Sequence, residues 1–368
     1  MLKKIIIYLK NFDWILFIPV ILLVIYGLVE IYSVSLGQGD QSLNNFKKQL
    51  FFALTGLALL FVFSFLNFND LRGLSPYIYV LTAIILLAVL FFGTVVRGTR
   101  GWFDIGGLRF QPVEVAKIAA IIFFAYYYSR VNFRLKSLKN LIISFFFLLV
   151  FAGLIMAQPD FGSAMILILL WFAMLVFSGY SKKYLIIIII AGLVFAAIGW
   201  LFYLEPYQKE RIMTFANPNS QSLEEGYNVN QAMIAVGAGR FTGRGIGFGS
   251  QSQLRFLPES QNDFIFAVIA EELGLLGVAL VLTFFSVFFF RSAILIKRLK
   301  DDAGIFFILG AASLIFIEMF INIGMNTGLL PVVGISLPFV SYGGSALVSS
   351  LILVGIMESI VIRNRINH

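Results

Sequence analysis

The chain has 368 residues, 60% hydrophobic and 12% charged, with 41 phenylalanines and a formal net charge of +8. A water-soluble domain needs far more polar surface, so this composition excludes one and places the chain among polytopic membrane proteins. Cysteine is absent and the single histidine is His368, which excludes a Cys nucleophile, a Ser-His-Asp triad and a zinc site of His or Cys ligands.

A hydrocarbon core about 30 Å thick is crossed by roughly 20 apolar residues in a helix. In chain order, runs of that kind fall at 14–33, 48–66, 75–93, 112–129, 139–157, 161–179, 184–204, 264–290, 304–327 and 340–361. None alternates apolar and polar residues as barrel strands do. The expectation is an all-α polytopic membrane protein, a single domain over 1–368 with about ten transmembrane helices. A large extracellular loop, 205–262, separates the seventh and eighth. No small-residue cleavage site follows the first run, which therefore reads as a retained helix. Lys3, Lys4 and Lys10 beside it predict a cytoplasmic N-terminus, and an even number of spans returns Arg363 and Arg365 to the same side. This topology accounts for the excess of cations, so the net charge gives no reason to invoke nucleic acid.

The polar residues collect between the runs. "RGTRGWFDIGGLRFQPVEVAK" (97–117) leads into the fourth run, and "QPDFGS" (158–163) joins the fifth to the sixth. Within the long loop, 228–237 predicts a short amphipathic helix. The Gly-rich run 237–249 lacks the flanking strand of a phosphate-binding loop and reads as ordinary turns. "LPESQNDFIFAVIAEELG" (257–274) opens the eighth run, and "NTGLLPVVGISLPFVSYGGS" (326–345) joins the ninth to the tenth. Helix breaks at membrane depth are tolerated only where backbone is buried in protein or lines a watery cavity. These segments therefore predict one cavity facing outward.

With His and Cys excluded, a catalytic base must be Asp, Glu, Lys or Tyr, and a metal must be a hard cation held by oxygens. Each charge also has a purely architectural reading. Glu114 and Lys117, three apart on a helix, neutralise each other. Asp160 and Asp263 stand where a carboxylate caps a helix. Glu271 and Glu272 lie about 12–14 Å beyond Asp263 along the helix and point about 100° apart, so they are no simple dyad. Glu318, Asn322 and Asn326 form an i, i+4, i+8 stripe that must face the bundle interior. A central Asp, Lys or Arg costs roughly 2.5–3.5 kcal/mol to insert, so several toward one face exceed what packing requires. On residues alone, channel, transporter and intramembrane enzyme all stay open.

Five ordered blocks resemble the SEDS family (shape, elongation, division and sporulation), closest to its RodA branch. "GWFDIGGLRFQPVEVAK" is similar to the family's R-W…G…Q-P-S-E…K block and "QPDFGS" to Q-P-D-x-G-T. "PYQKERIMTF" with "GYNVNQAMIAVGAGRFTGRGIG" resembles the external-loop signature, and "LPESQNDFIFAVIAEELGLLG" resembles L-P-E-x-x-T-D-F-I-F-A-V-I-x-E-E-x-G. "NIGMNTGLLPVVGISLPFVSYGGS" is close to the RodA form of the C-terminal block. Gly101, Val113, Arg240 and Asn262 depart from the pattern, and none of these removes an acidic residue.

The resemblance implies a peptidoglycan glycosyltransferase in the bacterial cytoplasmic membrane. Such an enzyme polymerises lipid II, a disaccharide-pentapeptide on undecaprenyl pyrophosphate, at the outer leaflet during elongation. It implies Asp263 as the general base of an inverting single displacement. Glu114, Lys117, Asp160, Arg109, Arg211, Arg255 and Ser341 would bind substrate or support the site. Mg²⁺ or Mn²⁺ on Asp263 and Asp160 is a further expectation, as are a class B penicillin-binding protein and the elongation machinery as partners. The competing readings are a lipid II flippase or another transporter, whose relay would draw on Glu271, Glu272 and Glu318, and a division-type polymerase.

Overall fold

The computed structural model describes residues 8–38, 40–96, 98–130, 138–202, 209, 213 and 225–366. Each of the ten apolar runs carries a helix: α1 (Trp14–Gln38), α2 (Asp40–Phe65), α4 (Ser75–Phe92), α5 (Pro112–Arg130), α6 (Leu138–Met156), α7 (Phe161–Phe177), α8 (Lys182–Phe202), α11 (Ile265–Arg298), α12 (Asp302–Asn326) and α13 (Gly344–Ile366). Shorter helices α3 (Phe68–Gly73), α9 (Glu225–Ala238) and α10 (Ser250–Gln253) lie between them. Eight of the helices are long and apolar enough to cross a membrane. Of the other two long ones, α7 is short at 17 residues, and α5 carries Glu114 and Lys117 in its first two turns. Helices prevail because, in lipid, every backbone N–H and C=O must be paired within its own segment. The chain is a helical polytopic membrane protein.

Beside the helices the chain carries one small sheet, between α4 and α5. Strands β1 (Thr94–Val96), β2 (Thr99–Ile105) and β3 (Leu108–Phe110) form an antiparallel sheet in that order. Asp104 pairs with Arg109 and Ile105 with Leu108 across Gly106–Gly107, both at positive φ, as a two-residue hairpin turn requires. The Asp104 carboxylate closes the turn by accepting from the Gly107 N–H at 2.9 Å. The short helix expected at 228–237 is α9. The first part of the long loop lies largely outside the described residues, Arg211 included.

Helix α13 is the most enclosed of the membrane-crossing helices and packs along α2, whereas α8 touches the core only through partly buried residues such as Tyr184, Leu185 and Ile188. The longest element, α11, spans 34 residues and breaks at Gly274, with φ 63° and ψ −158°. A turn from 239–247 docks at this break. Arg244 and Gly245 N–H groups donate to the Glu271 and Glu272 carbonyls at 3.0 and 2.8 Å, and Leu275 and Leu276 donate to Arg240 and Phe241 at 2.9 and 3.2 Å. A side chain at Gly274 would meet the Gly243 nitrogen at 2.3 Å, so both its φ and the close approach demand glycine.

At the opposite end, Asp13 ties three elements together. It caps α1 by accepting from the Leu16 N–H at 3.1 Å and takes two bonds from Arg291 of α11, at 2.9 and 2.6 Å. It also pairs with Arg365 of α13, while its own N–H donates to Glu358 at 2.9 Å. Burial alone would raise the Asp13 pKa, but the bond to Arg291 and the charges of both arginines outweigh it and hold the carboxyl below its ordinary value. A depressed folded-state pKa stabilises at pH above the unfolded value of about 3.9, and that stability is lost as pH falls through the folded value. The melting temperature in detergent is thus expected to hold down to about pH 5 and to fall below about pH 4. Asp13→Asn should cost about 3 kcal/mol at neutral pH, at the low end for a broken buried pair because Arg365 is 31% exposed. It should also flatten the acid limb; an unchanged limb would remove Asp13 as its source.

Candidate active site

Four segments meet at the end of the bundle that bears the hairpin. The Arg100 N–H donates to the Gln158 carbonyl at 3.3 Å, tying β2 to the turn before α7. Gly162 abuts the segment after α12: a Cβ there would meet the Val333 carbonyl at 2.7 Å. The same segment reaches Asp263, since a Cβ on Gly334 would lie 3.6 Å from the Asp263 Oδ2. The hairpin also meets the start of α13, where Ser345 Oγ donates to the Arg109 carbonyl at 3.2 Å and accepts from the Gln111 N–H at 3.1 Å. The predicted convergence of these segments is therefore physical contact.

Asp263 lies in a turn just before α11 and is partly buried. Its capping reading does not hold, because the N-cap residue is Phe264, without a side-chain cap bond. The turn is pinned through successive carbonyls. The Tyr342 N–H donates to Gln261 at 2.8 Å and Ser341 Oγ to Asn262 at 2.6 Å. Asn322 and Asn326 Nδ2 each donate to the Asp263 carbonyl at 2.9 Å. Ser341 Oγ also accepts from the Leu337 N–H at 2.8 Å, so it is a staple between two loops.

Lys117 is buried between two carboxylates, Glu114 at 2.8 Å and Glu318 at 2.6 Å. The spacing of Glu114 and Lys117 gave the first contact, while the second comes from α12, 201 residues away. Glu318 stands one turn, about 6 Å, before Asn322 on α12. One helix thus joins this cluster to the turn that carries Asp263.

Glu271 and Glu272 are buried and bonded to the loop they face. Glu271 accepts from the N–H groups of Gln251 and Ser252 at 2.9 and 3.3 Å. Glu272 accepts from the Gly247 N–H at 3.0 Å and Gln253 Nε2 at 3.1 Å, and from the Ser33 hydroxyl of α1. They clamp residues 247–253 onto α11.

The remaining candidates divide. Asp160 caps α7, its oxygens accepting from the Ser163 N–H at 3.0 Å and hydroxyl at 2.7 Å, which is its architectural reading. Arg109 is 57% exposed and 3.8 Å from Asp104. Arg255 is exposed, at φ 61°. Among the described residues no group of three His, Cys, Asp or Glu is placed to hold a metal ion. The residues missed by sequence reasoning are the anchors Asn322 and Asn326. Their i, i+4, i+8 stripe with Glu318 signalled interior bonding, but not its target.

The buried cluster predicts a graded response to mutation. Lys117→Met leaves Glu114 and Glu318 without their cation, and breaking a buried pair costs about 3–5 kcal/mol. Glu318→Gln leaves one neutral pair and should be milder. The exchange Glu114→Lys with Lys117→Glu sets a new carboxylate against Glu318, so it should recover stability only when Glu318→Gln is added. Melting temperatures in detergent check this series; recovery by the double exchange alone would reduce the cluster to a pair.

The profile of the FtsW/RodA/SpoVE cell cycle proteins matches residues 13–366. The chain is 36% identical over 338 residues to the peptidoglycan glycosyltransferase MrdB of Escherichia coli K12, spanning 92% of this chain and 90% of that protein. It is 34% identical over 355 residues to stage V sporulation protein E of Bacillus subtilis 168, spanning 95% and 96%. A chain from a peptidoglycan synthase complex studied for the coordination of polymerization and crosslinking superimposes with a TM-score of 0.82 at 27% identity, over 97% of this chain and 99% of that one. The rod shape determining protein RodA of Thermus thermophilus does so with a TM-score of 0.71 at 25% identity, over 96% and 97%. With its sequence matched from the first helix to the last and its fold shared along nearly the whole length, the chain belongs to the FtsW/RodA/SpoVE family of cell cycle proteins.

Proposed function

We propose that this protein is a peptidoglycan glycosyltransferase that polymerises lipid II at the outer face of the bacterial cytoplasmic membrane during cell elongation. The observation that carries the reading is the placement of Asp263. It stands at a backbone-pinned turn, at the meeting point of four polar segments, in a chain related to proteins named for this activity.

Asp263 acts as general base. Its carboxylate takes the proton from a sugar 4-hydroxyl, the freed oxygen attacks the anomeric carbon, and the bond to the pyrophosphate oxygen breaks. Attack opposite the leaving group turns an α-linked donor into a β-linked product in one displacement. A positioned base contributes typically 10²–10⁴-fold. Arg109 and Arg255 are exposed cations on the polar segments and stabilise the departing pyrophosphate, with Arg211 a further candidate. Glu114 and Lys117 support the site from beneath, Asp160 holds the start of α7, and Ser341 fixes the turn. Were Mg²⁺ or Mn²⁺ to bind, Asp263 and Asp160 would be the carboxylates to hold it, and it would neutralise the leaving group; no step above depends on it. A class B penicillin-binding protein and the elongation machinery are the proposed partners, which agrees with the likeness to a chain of a peptidoglycan synthase complex. A flippase would draw on Glu271 and Glu272 as a relay, and the loop bonds of both favour an architectural role.

Orientation is tested by single cysteines in this cysteine-free chain. With both termini cytoplasmic, Ser222→Cys should react with an impermeant thiol reagent on spheroplasts and Ser181→Cys should not. The reverse pattern would put the site on the wrong leaflet.

Chemistry is tested by Asp263→Asn, which keeps shape but accepts no proton at neutral pH. Glycan strand synthesis from lipid II in detergent, where no flipping is needed, should fall about 10²-fold or more, with expression and melting temperature near wild type. Chain formation at the wild-type rate would remove Asp263 from the mechanism.

A further inference from the structure

The first turn of α11 is held open by a side chain from another helix. In a regular α-helix, the carbonyl of residue 263 would accept from the N–H of residue 267. Here the Asn326 carboxamide lies across both groups: its Nδ2 donates to the Asp263 carbonyl at 2.9 Å and its Oδ1 accepts from the Ala267 N–H at 3.1 Å. The Ala267 N–H also reaches the Phe264 carbonyl at 3.0 Å, a tighter i+3 contact. The helix accordingly starts at Ile265, and Asp263 stands outside it.

Asn322 completes the arrangement. Its Nδ2 donates to the same Asp263 carbonyl at 2.9 Å and to the Ile335 carbonyl at 2.7 Å, joining the turn to the loop after α12. The Asn326 Nδ2 donates in addition to the Asn322 carbonyl at 2.8 Å, which fixes the wedge to its own helix. Both asparagines are fully buried, where an unpaired amide would be costly. A carboxamide offers a donor and an acceptor in the geometry of a peptide unit, so it can stand in for the backbone pair it separates. Neither Asp nor Leu supplies both.

We propose that Asn326 and Asn322 are positioning residues for Asp263. The inserted amide keeps the first turn of α11 from closing and so sets the direction in which the Asp263 side chain leaves the backbone. The inference rests on the reading of Asp263 as general base. Neither asparagine touches substrate; both act through the backbone of the residue that does. A displacement of about 1 Å in a reacting group can cost 10²-fold in rate, and closing a helical turn would redirect the side chain by at least that much.

The test uses the full-length protein, purified and assayed with lipid II. In Asn326→Leu the freed carbonyl and N–H can pair with each other, so the protein should fold with a melting temperature near wild type. Turnover should fall about 10–100-fold while KM for lipid II changes by less than about two-fold. Asn322→Leu leaves the wedge in place and removes one of the two donors to the Asp263 carbonyl together with the bond to Ile335, so its loss of kcat should be smaller, again with KM unchanged. Failure of Asn326→Leu to fold, or activity lost only in proportion to folded protein, would make the residue structural and overturn the proposal. Wild-type turnover in Asn326→Leu, with Asp263→Asn inactive, would overturn the positioning role alone. Wild-type turnover in Asp263→Asn would remove the base reading and the positioning role with it.

Discussion

A helix that starts late and breaks early constrains the rest of this molecule. Along α11, the turn at Asp263, the carboxylates Glu271 and Glu272 and the break at Gly274 follow within twelve residues. Each interruption frees backbone groups that hydrocarbon cannot satisfy, so each must be met by another part of the chain. The asparagines of α12 meet the first, and the turn at 239–247 meets the last. Between them, Glu271 and Glu272 draw residues 247–253 into the bundle. The loop fold is therefore a consequence of the broken helix, and the broken helix is stable only because the loop is there.

This dependence explains what was legible in the sequence. The helices were legible because an apolar run long enough to cross a bilayer has no other stable form in lipid. Contacts within one helix were legible too: Glu114 and Lys117 are three apart and do pair. What spacing cannot carry is the far partner. Glu318 completes the Lys117 cluster from 201 residues away, and the Glu318, Asn322, Asn326 stripe announced an interior face without naming what it bonds. Asp263 looked like a cap because a carboxylate before a helix commonly is one. The acceptor for the Ala267 N–H comes instead from Asn326. The hairpin at 94–110 escaped because its strands are short and its Gly-Gly turn lies within a polar connection rather than between alternating runs.

The two ends of the bundle spend their charges differently. At one end, the Asp13 carboxylate meets two arginines and its N–H meets Glu358, so that three elements are fixed. At the other, the bonds from Asn322 and Asn326 go to the carbonyl of Asp263 rather than to its carboxylate. Holding a residue by its backbone fixes where its side chain leaves the chain, which is what the proposed general base requires.

The same accounting bears on the leaving group. Lys117 is enclosed by two carboxylates at 2.8 and 2.6 Å, so with all three groups ionised the cluster carries one negative charge. A lysine so matched has no spare positive charge to offer a pyrophosphate. Lys117 is thus better suited to join α5 to α12, and through α12 to the asparagines at Asp263, than to receive phosphate. On the proposed reading, neutralising the departing pyrophosphate is left to exposed cations, with Arg109 and Arg255 the candidates among the described residues. There the substrate can bring its own charge to them without a buried lysine having to leave its partners.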